Sequence, residues 1–286
     1  MKKSTSRSKL LVVCTMVLII MLVIVGCSTN GNQLNDNNAN DNSLLSAQTV
    51  GNTQEILISA AASLSVVMDV IIAQFEAEHS NIVVEVNYGS SGALQKQIEQ
   101  GAPVDLFVSA GMKQMNTLEE QGLIDMTTPL LINEMVIVAN KQSVDIGLAT
   151  DISLTQLLQQ VNPTYIAIGE PDTVPAGQYA EQVLQHEQIW DAWNNQYVYA
   201  KDVRQVLNYV EQGNAELGFV YLSDAISSNK VEIIHHIDSE THDPIIYPIA
   251  IMKNSKQSEV AKLFFDYLLS EELNVLYEQN GFKRAE

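Results

Sequence analysis

From Glu55 onward, apolar runs of strand length alternate with stretches that carry apolar residues at helical spacing. This alternation constrains the fold more than any single motif does. Strands separated by helix-length connections mean parallel sheets covered by helices on both faces. Strands are expected at Ile56–Ile58, Ile82–Val86, Leu106–Val108, Met135–Ala139, Tyr165–Ile168, Leu217–Tyr221 and Ile245–Ile251. The spacing of Val67, Val70, Ile71 and Phe75 predicts a helix over Leu64–Glu78. A second helix is expected over Ala93–Gln100, stopped by Gly101 and Pro103, and a third through Met112, Met115 and Leu118. The class is therefore α/β. About 230 residues follow the pattern, long for one such sheet and comfortable for two lobes. No internal repeat is visible.

The first fifty residues do not take part. Lys2, Lys3, Arg7 and Lys9 precede an apolar run from Leu10 to Val25, and Gly26-Cys27 follows. A basic head, an apolar middle and a small residue before the cut describe a secretory signal. The run is short for a bilayer span, which needs about 20 apolar residues. Cys27 directly after Gly26 makes the leader similar to a bacterial lipoprotein signal, with Ile24 a small departure from its usual Leu. Residues 1–26 are thus expected to be removed and Cys27 lipidated, placing the protein outside the cytoplasm on a membrane anchor. Residues 27–54 are rich in Asn with Ser, Gly and Asp. Such a segment cannot bury enough surface to offset its ordering entropy, and it reads as a disordered tether.

Cys14 lies inside the leader, so the mature chain keeps only Cys27. That excludes a disulfide, thiol chemistry and a cysteine metal cluster. The formal net charge is −19, and loss of the leader's four basic residues leaves about −23. This balance argues against nucleic acid and against a polybasic grip on anionic lipid. It does not close the door on an anionic ligand, because distant carboxylates are screened within about 8 Å at physiological salt. A recessed site responds to its local row of donors.

Ligands of open α/β sheets bind beyond the carboxyl ends of strands, beside helix N-termini. Five such junctions carry donors or small residues: Ser59–Leu64, Tyr88-Gly89-Ser90-Ser91-Gly92, Gly169–Gly177, Ala200–Arg204 and Phe219-Val220-Tyr221. Each has a plain structural account, such as a capping serine or a tyrosine at a sheet edge. Each also suits an anion, because orphan N–H groups and the helix dipole welcome negative charge. Lys201 and Arg204 beside the fourth junction read as a solvated helix start.

The segments AAASLS (60–65), YGSSGALQKQIEQGAPVDLFVSA (88–110), GEPDTVPAGQYA (169–180), DVRQVLNYVEQGNAELGFVY (202–221) and YPIA (247–250) resemble the substrate-binding proteins of molybdate ABC transporters. The likeness runs from about Ile56 to Phe282 in the family's order and spacing. Glu170 departs from the Asp common before the proline. The resemblance implies a two-lobed periplasmic binding protein fold, type II-like, each lobe a mainly parallel sheet flanked by helices. Lobe one would take residues 51–134 plus 246–286, and lobe two residues 135–245. It implies a monomer that captures molybdate, with tungstate alongside it, and delivers the anion to a membrane permease without cofactor or chemistry of its own. Ser63 and Ser91 match positions that donate to the oxyanion through hydroxyl and backbone N–H. Ala176 and Val203 match positions that donate a backbone N–H alone, and Tyr221 matches a phenol donor. This set suits a tetrahedral dianion with no proton to give, since none of the five is acidic and none is a cation whose burial must be offset.

Three alternatives remain open. Another oxyanion such as sulfate would use the same donors, and phosphate fits less well because its protonated form invites an acceptor carboxylate. A serine hydrolase would need His and an acid near Ser63 or Ser91, and the five histidines lie in none of the junctions. Metal binding through His235, His236 and His242, within HHIDSETHD (235–243), competes with the reading of an exposed polar loop between strands.

Overall fold

The computed structural model describes residues 53–142 and 152–285. The leader, Cys27 and nearly all of the tether lie outside the described residues. The chain opens with β1 (Gln54–Ala61), a single 3-10 turn (Ala62–Leu64) and α1 (Ser65–Glu78). It continues through β2 (Ile82–Gly89), α2 (Ser91–Glu99), β3 (Leu106–Val108), α3 (Met112–Glu120) and β4 (Ile124–Ile132). Next come β5 (Met135–Asn140), α4 (Leu154–Val161), β6 (Ile166–Gly169), α5 (Pro175–His186), β7 (Tyr197–Ala200) and α6 (Val203–Glu211). β8 (Leu217–Tyr221), α7 (Leu222–Ile226) and β9 (Val231–His236) follow. The chain ends with β10 (Ile246–Met252), α8 (Ser258–Leu268), α9 (Asn274–Gln279) and β11 (Lys283–Arg284). Among the described residues no helix is long and apolar enough to cross a membrane.

Two sheets result. One has six strands in the order β11-β4-β10-β3-β1-β2, the other five in the order β7-β6-β8-β5-β9. The chain passes between them twice, over Asn133-Glu134 and over residues 237–245. The sheets are mixed, which corrects the expectation of mainly parallel pairing. β1 pairs parallel with β2 and β3, and β6 with β7 and β8, while β4, β5, β9, β10 and β11 pair antiparallel. Apart from β11 near the end of the chain, these antiparallel strands are the ones that flank the crossings. There the chain leaves one sheet and later returns, so no βαβ unit dictates their direction.

β4, β7, β9 and β11 are strands beyond those expected, although YVYA in β7 and VEII in β9 carry β-branched and aromatic residues. In β4, IDMTTPLLI mixes exposed and buried positions, and Pro129 sits at an irregularity of its pairing with β10. Proline tolerates such a place because no ladder N–H is needed there. His235 and His236 end β9, so the expected loop begins later than proposed.

The helices follow local chemistry. Ser90 caps α2, its Oγ accepting from Ala93 N–H at 3.4 Å. Ser153 and Gln156 form a capping box on α4, and Asn162 in the left-handed region ends that helix. Pro175 opens α5 at its first position, where no N–H is missed. In α1, Val67, Met68, Ile71 and Phe75 are buried, but Val70 is 42 % exposed, so the buried stripe is narrower than the spacing suggests. β3 serves both faces of its sheet. Leu106 and Val108 join the core that holds α1 and α8, while Phe107 joins Leu94, Ile98, Met115 and Leu118 beneath α2 and α3.

Candidate functional site

Parallel register brings the small-residue junctions to one edge of each sheet. Ala61 pairs with Gly89, and Ala60 with Val108, so Ala62, Ser90-Ser91 and Ser109-Ala110 leave the first sheet side by side. Gly169 pairs with Ala200 and Ala167 with Gly218, so the entries to α5 and α6 and the end of β8 leave the second sheet together. The two edges face each other. Gly92 N–H donates to Thr173 O at 3.0 Å across the divide, and Gly111 lies against Pro175 and the Tyr179 hydroxyl.

Between the edges is a cavity of about 10 Å³ lined by Ala61, Ala62, Gly89, Ser90, Ser91, Ala110, Val174, Pro175, Asp202 and Val203. That volume is on the order of a single water, so the arrangement is closed. The N-termini of α2, α5 and α6 converge on it, each with backbone N–H groups that no residue of the same helix can satisfy. No Lys or Arg lines it. Its one charged neighbour, Asp202, caps α6 by accepting from Gln205 N–H at 2.8 Å. A larger groove of about 500 Å³ opens beside it at Gly111 and Tyr179, where three carboxylates, Asp172, Glu181 and Asp243, outnumber one cation, Lys113, and oppose an anion.

Of the five residues singled out in the sequence, Ser91 and Val203 line the cavity directly. Ser63 follows Ala61-Ala62 in the 3-10 turn, and Ala176 follows Val174-Pro175 at the start of α5. Tyr221 closes β8 and is tied to Ser63 through Tyr247. The rings of Tyr221 and Tyr247 meet edge to face at 5.8 Å, and Tyr247 Oη is 2.9 Å from Ser63 Oγ. All five are buried.

The two serines of the α2 entry divide the work. Ser90 is the helix cap. Ser91 Oγ instead accepts from Ala110 N–H at 2.9 Å, leaving its own proton to donate elsewhere. The Tyr221 hydroxyl is fully buried and has no hydrogen-bond partner within the protein. Burial holds the phenols of Tyr221 and Tyr247 well above their usual pKa, so both stay protonated. Arg204 does not point into solvent as expected. Its Nη1 donates to Ser227 Oγ at 2.6 Å and lies 3.6 Å from the buried Asp224.

Sequence reasoning passed over two residues beside the site. Tyr247 is the second residue of β10, and Asn133 sits between the sheets, its amide donating to both Tyr247 Oη and Ser223 Oγ. The available signals were the polar pair Asn133-Glu134 interrupting the apolar run LLINEMV, and Tyr247 at the head of the YPIA segment. His235, His236 and His242 join no group of three or more potential metal ligands among the described residues.

Comparison with known proteins follows the same lines. The chain matches the model of a family described as bacterial extracellular solute-binding protein over residues 56–283. It is 42 % identical over 227 residues to the "Putative ABC transporter substrate-binding lipoprotein YvgL" of Bacillus subtilis (strain 168), covering 79 % of this chain and 85 % of that one. It is 38 % identical over 230 residues to the molybdate-binding protein ModA of Escherichia coli (strain K12), covering 80 % and 88 %. Among solved structures, the "substrate binding domain of putative molybdenum ABC transporter from Clostridium difficile" superposes with a TM-score of 0.62 at 41 % identity, over 81 % of this chain and 99 % of that one. With two α/β sheets facing across a donor-lined cavity and a family match over nearly every described residue, the chain belongs to the bacterial extracellular solute-binding proteins.

Proposed function

We propose that this protein binds molybdate, and tungstate with it, between its two sheets and hands the anion to an ABC transporter permease. The observation that carries the reading is the convergence of three helix N-termini on a cavity with no cation in its wall. The 38 % identical relative named for molybdate supports the choice of anion. Ser63 and Ser91 donate through their hydroxyls, Ala176 and Val203 through backbone N–H groups, and Tyr221 through its unpartnered phenol. A hydrogen bond to a charged group contributes about 1.5–3 kcal/mol. Half a dozen of them support binding of roughly −8 to −12 kcal/mol once closure and desolvation are met.

The lobes are residues 51–134 with 246–286, and 135–245, and they part at the two crossings to admit ligand. A tetraoxo anion is larger than one water, so entry requires that opening. The protein acts as a monomer, without catalysis or a resident cofactor, held to the outer face of the membrane by a lipid on Cys27 and the tether of residues 27–54.

Isothermal titration with molybdate, tungstate, sulfate and phosphate tests the assignment. Tight binding of the first two with weak sulfate is expected. Tight sulfate binding with no heat from molybdate would overturn it.

A further inference from the structure

A hydroxyl has one proton. If a protein group takes it, none is left for an anion. For Ser91 the direction is fixed, because its partner Ala110 N–H can only donate. Ser63 is less simple: its Oγ lies 2.9 Å from Tyr247 Oη, and either oxygen can be the donor.

The neighbouring bonds resolve the choice. Asn133 Oδ1 accepts from Glu134 N–H at 2.9 Å, which pins the amide with its nitrogen on the other side. That nitrogen carries two protons and meets two acceptors, Ser223 Oγ at 2.9 Å and Tyr247 Oη at 3.2 Å. Tyr247 Oη therefore accepts from Asn133, and its own proton is left for Ser63 Oγ. Ser63 then accepts from Tyr247 and has its proton free. Tyr247 is fully buried and Ser63, Asn133 and Ser223 are each 5 % exposed, so bulk water does not reorder the chain. The chain also runs between the sheets, from Ser223 after β8, through Asn133 at the crossing, to Tyr247 on β10.

We propose that Asn133 is a specificity-determining positioning residue: acting through Tyr247, it sets the direction of this hydrogen-bond chain so that Ser63 presents a proton to the bound oxyanion. The proposal rests on the reading of Ser63 as a ligand donor. Its chemical consequence is selection by protonation state. An anion whose four oxygens all accept is served by Ser63 and Ser91 together. One that carries its own proton, as hydrogen phosphate does, meets two donors at these positions, which leaves Asp202 as the one carboxylate acceptor in the wall.

Asn133→Asp tests this, because it keeps the shape and the Oδ1 bond to Glu134 N–H but turns the other atom into an acceptor. The Tyr247 proton then goes to position 133, Tyr247 Oη accepts from Ser63, and the Ser63 proton is consumed. Titration calorimetry with molybdate is run on the full chain and on its Ser63→Ala, Asn133→Asp and double variants, with circular dichroism to confirm folding. Loss of the donor in Ser63→Ala is expected to cost about ten-fold or more in affinity. Asn133→Asp should cost at least as much in the parent but less than about three-fold in the Ser63→Ala background, since its route is then gone. An equal loss in both backgrounds would mean that the added charge acts directly, and the positioning claim falls. Should Asn133→Asp not fold, Tyr247→Phe replaces it. That variant leaves Ser63 its proton but releases its direction, and the molybdate-to-phosphate affinity ratio should fall. An unchanged ratio overturns the proposal. If the parent gives no heat with molybdate, or Ser63→Ala binds like the parent, the site assignment fails instead.

Discussion

Adjacent residues with the same side chain have different jobs in this protein. Ser90 closes the end of α2, while Ser91, one position on, has its oxygen engaged by Ala110 N–H and its proton unclaimed. Ser91→Ala should therefore weaken molybdate binding by about 1–3 kcal/mol in calorimetry. Ser90→Ala should mainly lower helix stability, by about 1 kcal/mol. Equal effects of the two on affinity would contradict the division. Asp224 poses a different residue-scale problem. Its carboxyl is wholly buried 3.6 Å from Arg204 Nη1, and burial lifts its pKa to about 7 against that opposing charge. In the unfolded chain an Asp titrates near 3.9. The folded state thus holds this proton more tightly, and the associated stability, full below about pH 4, is lost as pH rises through about 7. Asn at 224 removes the titration. By scanning calorimetry, the Tm of Asp224→Asn relative to the parent should rise by at least about 3 °C between pH 5 and pH 8. A difference independent of pH would show that the carboxyl does not titrate in that window.

Element packing turns two glycines into opposite probes. Gly177 in α5 lies so close to β6 that a Cβ there would overlap the Gly169 carbonyl oxygen. Both elements belong to the second sheet's layer, so Gly177→Ala should destabilise the ligand-free fold by about 1–3 kcal/mol or more, as overpacking does. Gly92 is tight in another way. A Cβ there would come within 2.5 Å of Thr173 O, which belongs to the facing edge. Its cost falls on closure. Gly92→Ala is expected to leave the ligand-free Tm within about 1 °C while lowering molybdate affinity about ten-fold or more, because ligand energy must then open the contact. A fall in ligand-free Tm without any loss of affinity would place Gly92 in fold stability rather than closure.

At the scale of the whole molecule, a chain of net charge −19 places three helix N-termini, and no Lys or Arg, around the proposed anion cavity. No Lys or Arg lines the cavity, so no counter-charge is present for salt to screen. The diffuse field of surface carboxylates is what salt removes, and that field repels the ligand. Molybdate affinity should stay flat or rise by less than about three-fold between roughly 0.05 and 0.5 M NaCl. A steep fall would reveal a cation in the binding shell.

How much of this was legible in the chain follows from the range of the interactions involved. Helix starts, caps and buried stripes are set within a few residues, so Ser90 and Pro175 marked their helix entries, and the small-residue junctions announced the edges that face each other. The α/β class was readable for the same reason, while the choice of Ser63, Ser91, Ala176, Val203 and Tyr221 rested on the family resemblance. Strand direction was not. β4 and β10 run antiparallel because of where the chain crosses between sheets, a fact no local pattern encodes. The 184-residue span from Ser63 to Tyr247, and the bond from Asn133 that orients it, were equally invisible. Donor identity is a property of residue type, but the direction in which a hydroxyl gives its proton depends on which partners burial places around it, and only the packed molecule decides that.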